Sequence, residues 1–214
     1  MTDRERFLNI MEFKSVDRYP NYELGVWGQA IDRWYSEGLP KDVCYWNWFE
    51  GEPYFGIDKR GFIPVKAGMI PSFDEETIEE TERYIVFRDS IGRLRKAMKE
   101  GTVRGTRPSM DQYLDFPVKD KRSFEELKKG YNPYSPVRYP MWWDELVKLW
   151  RDRDYPLCLF VNGQIGFYWT LREWVGTENL SYMFYDDPSL VHEMLDFIAD
   201  FIIDVSTRAL SSVQ

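Results

Sequence analysis

The sequence predicts an α/β protein built on parallel strands. Three observations carry that prediction. The run Leu157-Cys158-Leu159-Phe160-Val161 is continuously apolar and leads through Gly163 and Gly166 into Trp169-Thr170-Leu171. This reads as a strand covered on both faces, a glycine turn and the first turn of a helix. Helical and strand-like segments alternate along the chain, interrupted by one hairpin. A long helix opens at Asp187-Pro188, a capping acid followed by proline at the first helical position.

Residues 2–12 form a short helix, because Thr2 and Glu5 make a capping box and Phe7, Leu8, Ile10 and Met11 give a partial apolar face. Asp17-Arg18-Tyr19-Pro20 is a turn, since the residue before proline is pushed out of the helical region. Tyr19 to Leu24 is then a first strand, with Glu23 near its end as a candidate pocket residue. Trp27 to Ser36 is a helix stopped by Gly38 and Pro40. Residues 41–64 are irregular and aromatic-rich. They either cover a site or form a satellite cluster that pins a loop.

Arg83 to Arg88 is β-rich, and Asp89 to Gly92 is a turn. Arg93 to Met98 returns as the hairpin partner or, on the competing reading, starts a helix ending at Glu100. Leu114 to Val118 is extended. Ser123 with Glu126 opens a helix that Gly130 ends. Asn132 to Pro140 holds three prolines and is a loop. Met141 to Asp152 is an amphipathic helix with Trp142, Leu146, Leu149 and Trp150 near one face. Two short helical pieces, Thr170–Val175 and Glu178–Tyr185, flank Gly176. In the last helix Val191, Met194, Leu195, Ile198, Phe201, Ile202, Val205, Ala209 and Leu210 keep helical spacing, while His192, Asp196 and Asp200 lie on another stripe.

Composition bounds the function. The 214 residues carry a net charge of -8, which argues against a general binder of nucleic-acid backbone. Only Cys44 and Cys158 are present, far apart in the chain, so a disulfide framework is not expected and a reducing, cytoplasmic setting fits. The start lacks an apolar signal core, and no apolar run is long enough to span a bilayer. A single His removes the usual nucleophile–base pair and any zinc site of the Cys/His kind within this chain. Phosphate-loop, dinucleotide, zinc-protease and nucleophile-elbow motifs are absent. The remaining chemistry rests on carboxylates near turns: Asp17, Glu23, Asp58, Asp115 and Glu178. None is assigned a catalytic role.

Two segments resemble the uroporphyrinogen decarboxylase superfamily. Asp17-Arg18-Tyr19-Pro20, preceded by Arg4-Glu5-Arg6-Phe7-Leu8, is similar to that family's D-R-x-P lead-in to its first strand. Gly163-Gln164-Ile165-Gly166-Phe167-Tyr168-Trp169-Thr170-Leu171 is similar to its G-F-x-G-x-P-W-T-L segment, with Tyr168 in place of proline. The spacing to Asp186-Asp187-Pro188 fits as well. The resemblance implies a (β/α)8 TIM barrel, incomplete here: residues 1–214 would be its amino-terminal part, with a β-hairpin insertion. It places Gly163 and Gly166 at the catalytic mouth, where a ligand approaches the loop backbone, so that Gly166→Val would impair binding. It implies a substrate pocket lined by Glu23, Trp27, Asn162, Gly163, Gly166, Trp169 and Thr170.

The arginine-rich segment that true decarboxylases carry after D-R-x-P is replaced by Asn21-Tyr22-Glu23-Leu24-Gly25-Val26-Trp27. Trp174 stands where they place a substrate-contacting tyrosine. The resemblance therefore implies first a corrinoid-associated methyltransferase. It would move a methyl group to a thiol or similar acceptor, with a corrinoid protein as partner. Such enzymes hold zinc through a His-x-Cys…Cys set in the carboxyl half, so no cofactor is expected within this chain. The alternative is cofactor-independent decarboxylation of a tetrapyrrole, and the non-catalytic alternative is a binding-only barrel or fragment. Neither nucleic acid nor membrane is an expected partner, and the reading admits an oligomer.

Overall fold

The computed structural model describes residues 1–43, 48–107, 109–159 and 165–213. It is a mixed α/β structure with two small sheets and seven α-helices among the described residues.

Helix α1 spans Asp3–Met11 and is opened by the expected box: the Thr2 side chain accepts from the Glu5 amide and Glu5 returns the bond to the Thr2 amide. No strand follows. Residues 19–24 join no ladder, because other bonds hold this segment. The Asn21 amide donates to Asp58 at 2.9 Å and the Asn21 carbonyl accepts from the Asp58 amide at 2.8 Å. Pro20 also removes a donor that a ladder would need. The D-R-x-P residues serve the same anchor. Asp17 accepts from Arg6 at 2.8 and 3.0 Å, and Arg18 pairs with buried Asp58.

Helix α2 covers Gly28–Ser36. After it, Trp34, Trp48 and Phe55 gather, with Trp48 and Phe55 ring centroids 4.8 Å apart. The described part of the aromatic stretch is thus a packed satellite cluster. Strand β1, Gly61–Ile63, pairs in parallel with β6, Leu157–Leu159, in the register Gly61 to Leu157. The expected parallel pairing is therefore present. Leu157, Cys158 and Leu159 are only half-buried, not covered on both faces, because the sheet has two strands. Phe160 and Val161 lie outside the described residues.

The hairpin is larger than expected. Strands β2 (Glu76–Glu80), β3 (Tyr84–Arg88), β4 (Leu94–Met98) and β5 (Gln112–Asp115) form a four-stranded antiparallel meander. The strand reading of residues 93–98 holds over the helical one, with Arg88 opposite Leu94 across the Asp89–Gly92 turn. Strand β2 escaped the sequence reading because every residue in it is exposed and three of its five residues, Glu76, Glu79 and Glu80, are acids.

Helix α3, Lys121–Lys128, is capped by Asp120 rather than by Ser123, which sits one turn inside and returns the bond to the cap amide. Helix α4, Trp143–Trp150, buries Trp143 and Trp150 and leaves Trp142 and Leu149 exposed, so its inward face is rotated from the expected one. Helices α5 (Phe167–Val175) and α6 (Thr177–Asp186) meet at Gly176, and α7 runs Pro188–Ser212 with Asp187 capping it through the Leu190 amide.

The core lies where α3, α5 and α7 converge. Phe124, Tyr131, Trp174, Phe197 and Phe201 stack edge to face or tilted, with Tyr131 and Phe201 centroids 5.2 Å apart. From α7, Val191, Met194, Ile198, Phe201, Val205 and Ala209 are buried at the spacing read from the sequence. Leu210 is exposed, and His192, Asp196 and Asp200 form the expected exposed stripe.

Candidate functional site

The parallel pair positions the site. The chain leaving β1 runs through Lys66, Ala67, Gly68 and Met69, and the chain leaving β6 enters α5 with Trp169, Thr170, Glu173 and Trp174. Both segments line one cleft of about 410 Å³. The β3–β4 turn closes one side through Ser90 and Ile91, and Leu127, Tyr131 and Ile198 form the base. The volume lies within the range of about 300–1,000 Å³ usual for small-molecule sites. Position beyond the carboxyl ends of parallel strands is the ordinary place for such a site in α/β proteins.

Several interactions fix the walls. Glu173 pairs with Arg93 at 2.8 Å, and Arg93 also pairs with Asp89 at 2.8 Å, so the meander turn is tied to α5. Burial raises the Asp89 carboxyl, but its bonds from Arg93 outweigh that and hold it below the usual carboxylate range. Arg172 lies over the Trp169 ring at 4.1 Å, fixing the exposed indole at the cleft mouth. The Thr170 hydroxyl accepts from the Gly166 amide at 3.3 Å and closes the first turn of α5.

The base holds two groups of unusual character. Tyr131 is 8% exposed, and its hydroxyl accepts the Trp174 indole N–H at 3.1 Å. Burial pushes this phenol up to about 12. Behind the Lys66–Gly68 wall, Arg138 is fully buried. It donates to the carbonyls of Lys66 and Gly68 at 2.8 and 2.9 Å, of Asn132 at 2.5 Å and of Gly130 at 3.4 Å. No carboxylate pairs with it among the described residues. Burial pulls its pKa down, yet as a guanidinium it stays charged.

The sequence-predicted pocket residues are distributed as follows. Trp169 and Thr170 line the cleft, and Gly166 caps α5 beside them. Trp27 lines a separate shallow recess with Leu24, Gly25, Val26 and Thr106. Glu23 is exposed and its carboxylate accepts from the next amide, that of Leu24, at 2.7 Å. Asn162 and Gly163 lie outside the described residues. Gly166 has φ 175°, extended backbone open to any residue, and an added Cβ would meet only the Trp169 Cβ at 3.6 Å. The backbone itself thus gives Gly166→Val no steric reason to fail. Among the candidate carboxylates, Asp17 and Asp58 are taken by Arg6 and Arg18, and Asp115 pairs with Lys119. Glu178 is exposed on the first turn of α6.

Lys66, Glu173, Tyr131 and Arg138 were not found from the sequence. Arg138 sits in a proline-rich stretch that reads as plain loop, and Tyr131 follows a helix-stopping glycine. Neither position carries a periodic or motif signal.

Among the described residues, no group of three His, Cys, Asp or Glu could hold a metal ion. Cys158 is half-buried on β6, and burial raises its thiol pKa. No helix among the described residues is long and apolar enough to cross a membrane.

Fold and cleft together define a mixed α/β protein with a ligand-sized site at the ends of two parallel strands. Comparison with known proteins finds no matching family model, no matching curated protein and no matching solved structure.

Proposed function

We propose that this chain is part of an enzyme of the uroporphyrinogen decarboxylase superfamily type, and that its cleft holds the acceptor in corrinoid-associated methyl transfer. The observation that carries the reading is the convergence of the segments leaving β1 and β6 on one cleft. In this reading β1 and β6 are neighbouring strands of a (β/α)8 barrel. The meander is an insertion in the crossover between them, which a parallel pair requires.

Size and charge favour a compact acceptor over a tetrapyrrole. A four-ringed macrocycle bearing several carboxylates needs more room than about 410 Å³ and more cations than Lys66, the one cation lining the cleft among the described residues. The residues present do other work. Trp169, Met69, Ile91 and Ile198 enclose an apolar body and displace water from it. A corrinoid carried by a partner protein supplies an electrophilic methyl group. The zinc of the methyltransferase branch has no ligand set among the described residues.

The test is methyl transfer from methylcobalamin to a small thiol, followed by loss of the methylcobalamin absorption, with the polypeptide its gene encodes. Turnover that falls at least tenfold in Trp169→Ala supports the reading. Release of carbon dioxide from uroporphyrinogen, with methylcobalamin untouched, would replace it by the decarboxylase alternative.

A further inference from the structure

We infer that the ligand of the cleft carries a carboxylate, which accepts a hydrogen bond from the Tyr131 hydroxyl at the base and pairs with the Lys66 ammonium at the rim. This rests on the reading of the cleft as a ligand site and adds the chemical class of what it takes.

The hydroxyl of Tyr131 has one acceptor role and one donor role. The acceptor role is filled by the Trp174 indole N–H at 3.1 Å. The donor has no acceptor among the described residues, although the residue is more than nine-tenths buried and lines the cleft. A buried donor left unused is costly, and a site completed by its ligand is the ordinary resolution. The bond received from Trp174 polarises the phenol and makes it a better donor. Because burial holds the phenol protonated up to about 12, it donates throughout the neutral range.

Charge decides what kind of acceptor fits. Among the described residues the cleft has a single lining acid, Glu173, and Arg93 already engages it at 2.8 Å. Lys66 is exposed at the rim. Arg138 stands behind the wall, fully buried, bonded to carbonyl oxygens and lying over the Phe201 ring at 4.6 Å, so among the described residues its charge meets dipoles and a ring face and not a counter-ion. In low-dielectric surroundings such a charge reaches across the wall. Within a protein of net charge -8, this cleft is a place where a small anion is favoured. The apolar lining of Met69, Ile91, Leu127 and Ile198, with Trp169 at the mouth, suits a flat or aliphatic body behind that carboxylate.

The experiment uses 4-methylbenzoate and its neutral isostere 4-methylbenzamide, titrated calorimetrically into the protein. The carboxylate is expected to bind about tenfold more tightly than the amide, the weight of one hydrogen bond to a charged group. Its affinity should fall as salt is added. Lys66→Met keeps the backbone bonds to Arg138 and should weaken the carboxylate several-fold while leaving the amide unchanged. Tyr131→Phe should weaken the carboxylate about tenfold, read only on a variant whose melt matches the parent. If Tyr131→Phe does not fold, the Lys66→Met result and the salt dependence decide. Trp169→Ala should weaken both probes, which locates them in the cleft. Equal affinity for the two probes, both sensitive to Trp169→Ala, would overturn this inference and leave the cleft reading standing. Absence of binding by either probe, or binding insensitive to Trp169→Ala, would overturn both.

Discussion

At the scale of single residues, burial decides which groups carry consequences. The Tyr131 phenol rises from 10.0 to about 12 because the core desolvates its ionised form. The unfolded chain therefore loses this proton near pH 10, while the folded chain keeps it to about 12. Stability is fully present below pH 10 and falls between pH 10 and 12, by about 3 kcal/mol for this group. Tyr139, raised by burial as well, pulls in the same direction. Urea titrations at pH 9 and 11.5 should show the fall, and Tyr131→Phe should flatten it. An equal slope in that variant would mean that the phenol is not the group responsible.

Two glycines separate what sequence can and cannot say at this scale. Gly166 stood out by its neighbours, Trp169 and Thr170, yet its backbone is extended and its surroundings are open. Gly166→Ser is expected to keep stability within about 0.5 kcal/mol, since serine is at home at a helix N-cap. Gly176 stood out only as a break between helices. It has φ +89° and ψ 152°, and an added Cβ would run into the Phe116 ring. Gly176→Ala should lose roughly 2 kcal/mol or more. Thermal melts of the two variants side by side check the contrast.

At the scale of elements, local chemistry was legible where it was self-contained. The Thr2–Glu5 box, the Asp187-Pro188 start and the apolar stripe of α7 all follow from residues a few positions apart. The cap of α3 was misplaced by one turn because Asp120 and Ser123 both offer cap chemistry, and their reciprocal bonds form only with Asp120 outside the helix. Asp120→Ala should destabilise by about 1 kcal/mol, measured by denaturant titration, with Ser123→Ala costing less. A larger loss for Ser123→Ala would return the cap to the serine. The expected strand at 19–24 failed for the opposite reason. Its fate depends on Asp58, dozens of residues away, which supplies bonds that replace a ladder.

At the scale of the whole molecule, alternation of helix and strand disclosed a mixed α/β protein with a parallel pair. It did not disclose the size of the meander. Its first strand is wholly exposed, so no burial pattern marks it, and its charged face tells of an edge kept from pairing with other chains. The cleft was half legible. Trp169 and Thr170 follow a recognisable glycine turn, whereas Tyr131, Lys66 and Arg138 come from three other places in the chain and meet only in the folded state. Such a site has no spacing to read, because its distances belong to the fold and not to the sequence.

The pairing of Gly61 with Leu157 has a consequence in time as well as in space. These residues are roughly a hundred positions apart, and closing so long a loop is entropically unfavourable until the intervening chain has compacted. The meander and the α3–α5–α7 core rest on nearer neighbours and can form first. The two short strands then join last, and the mouth between them is completed only when the rest of the molecule already stands. A chain refolding from denaturant would hold its helices before its cleft was complete.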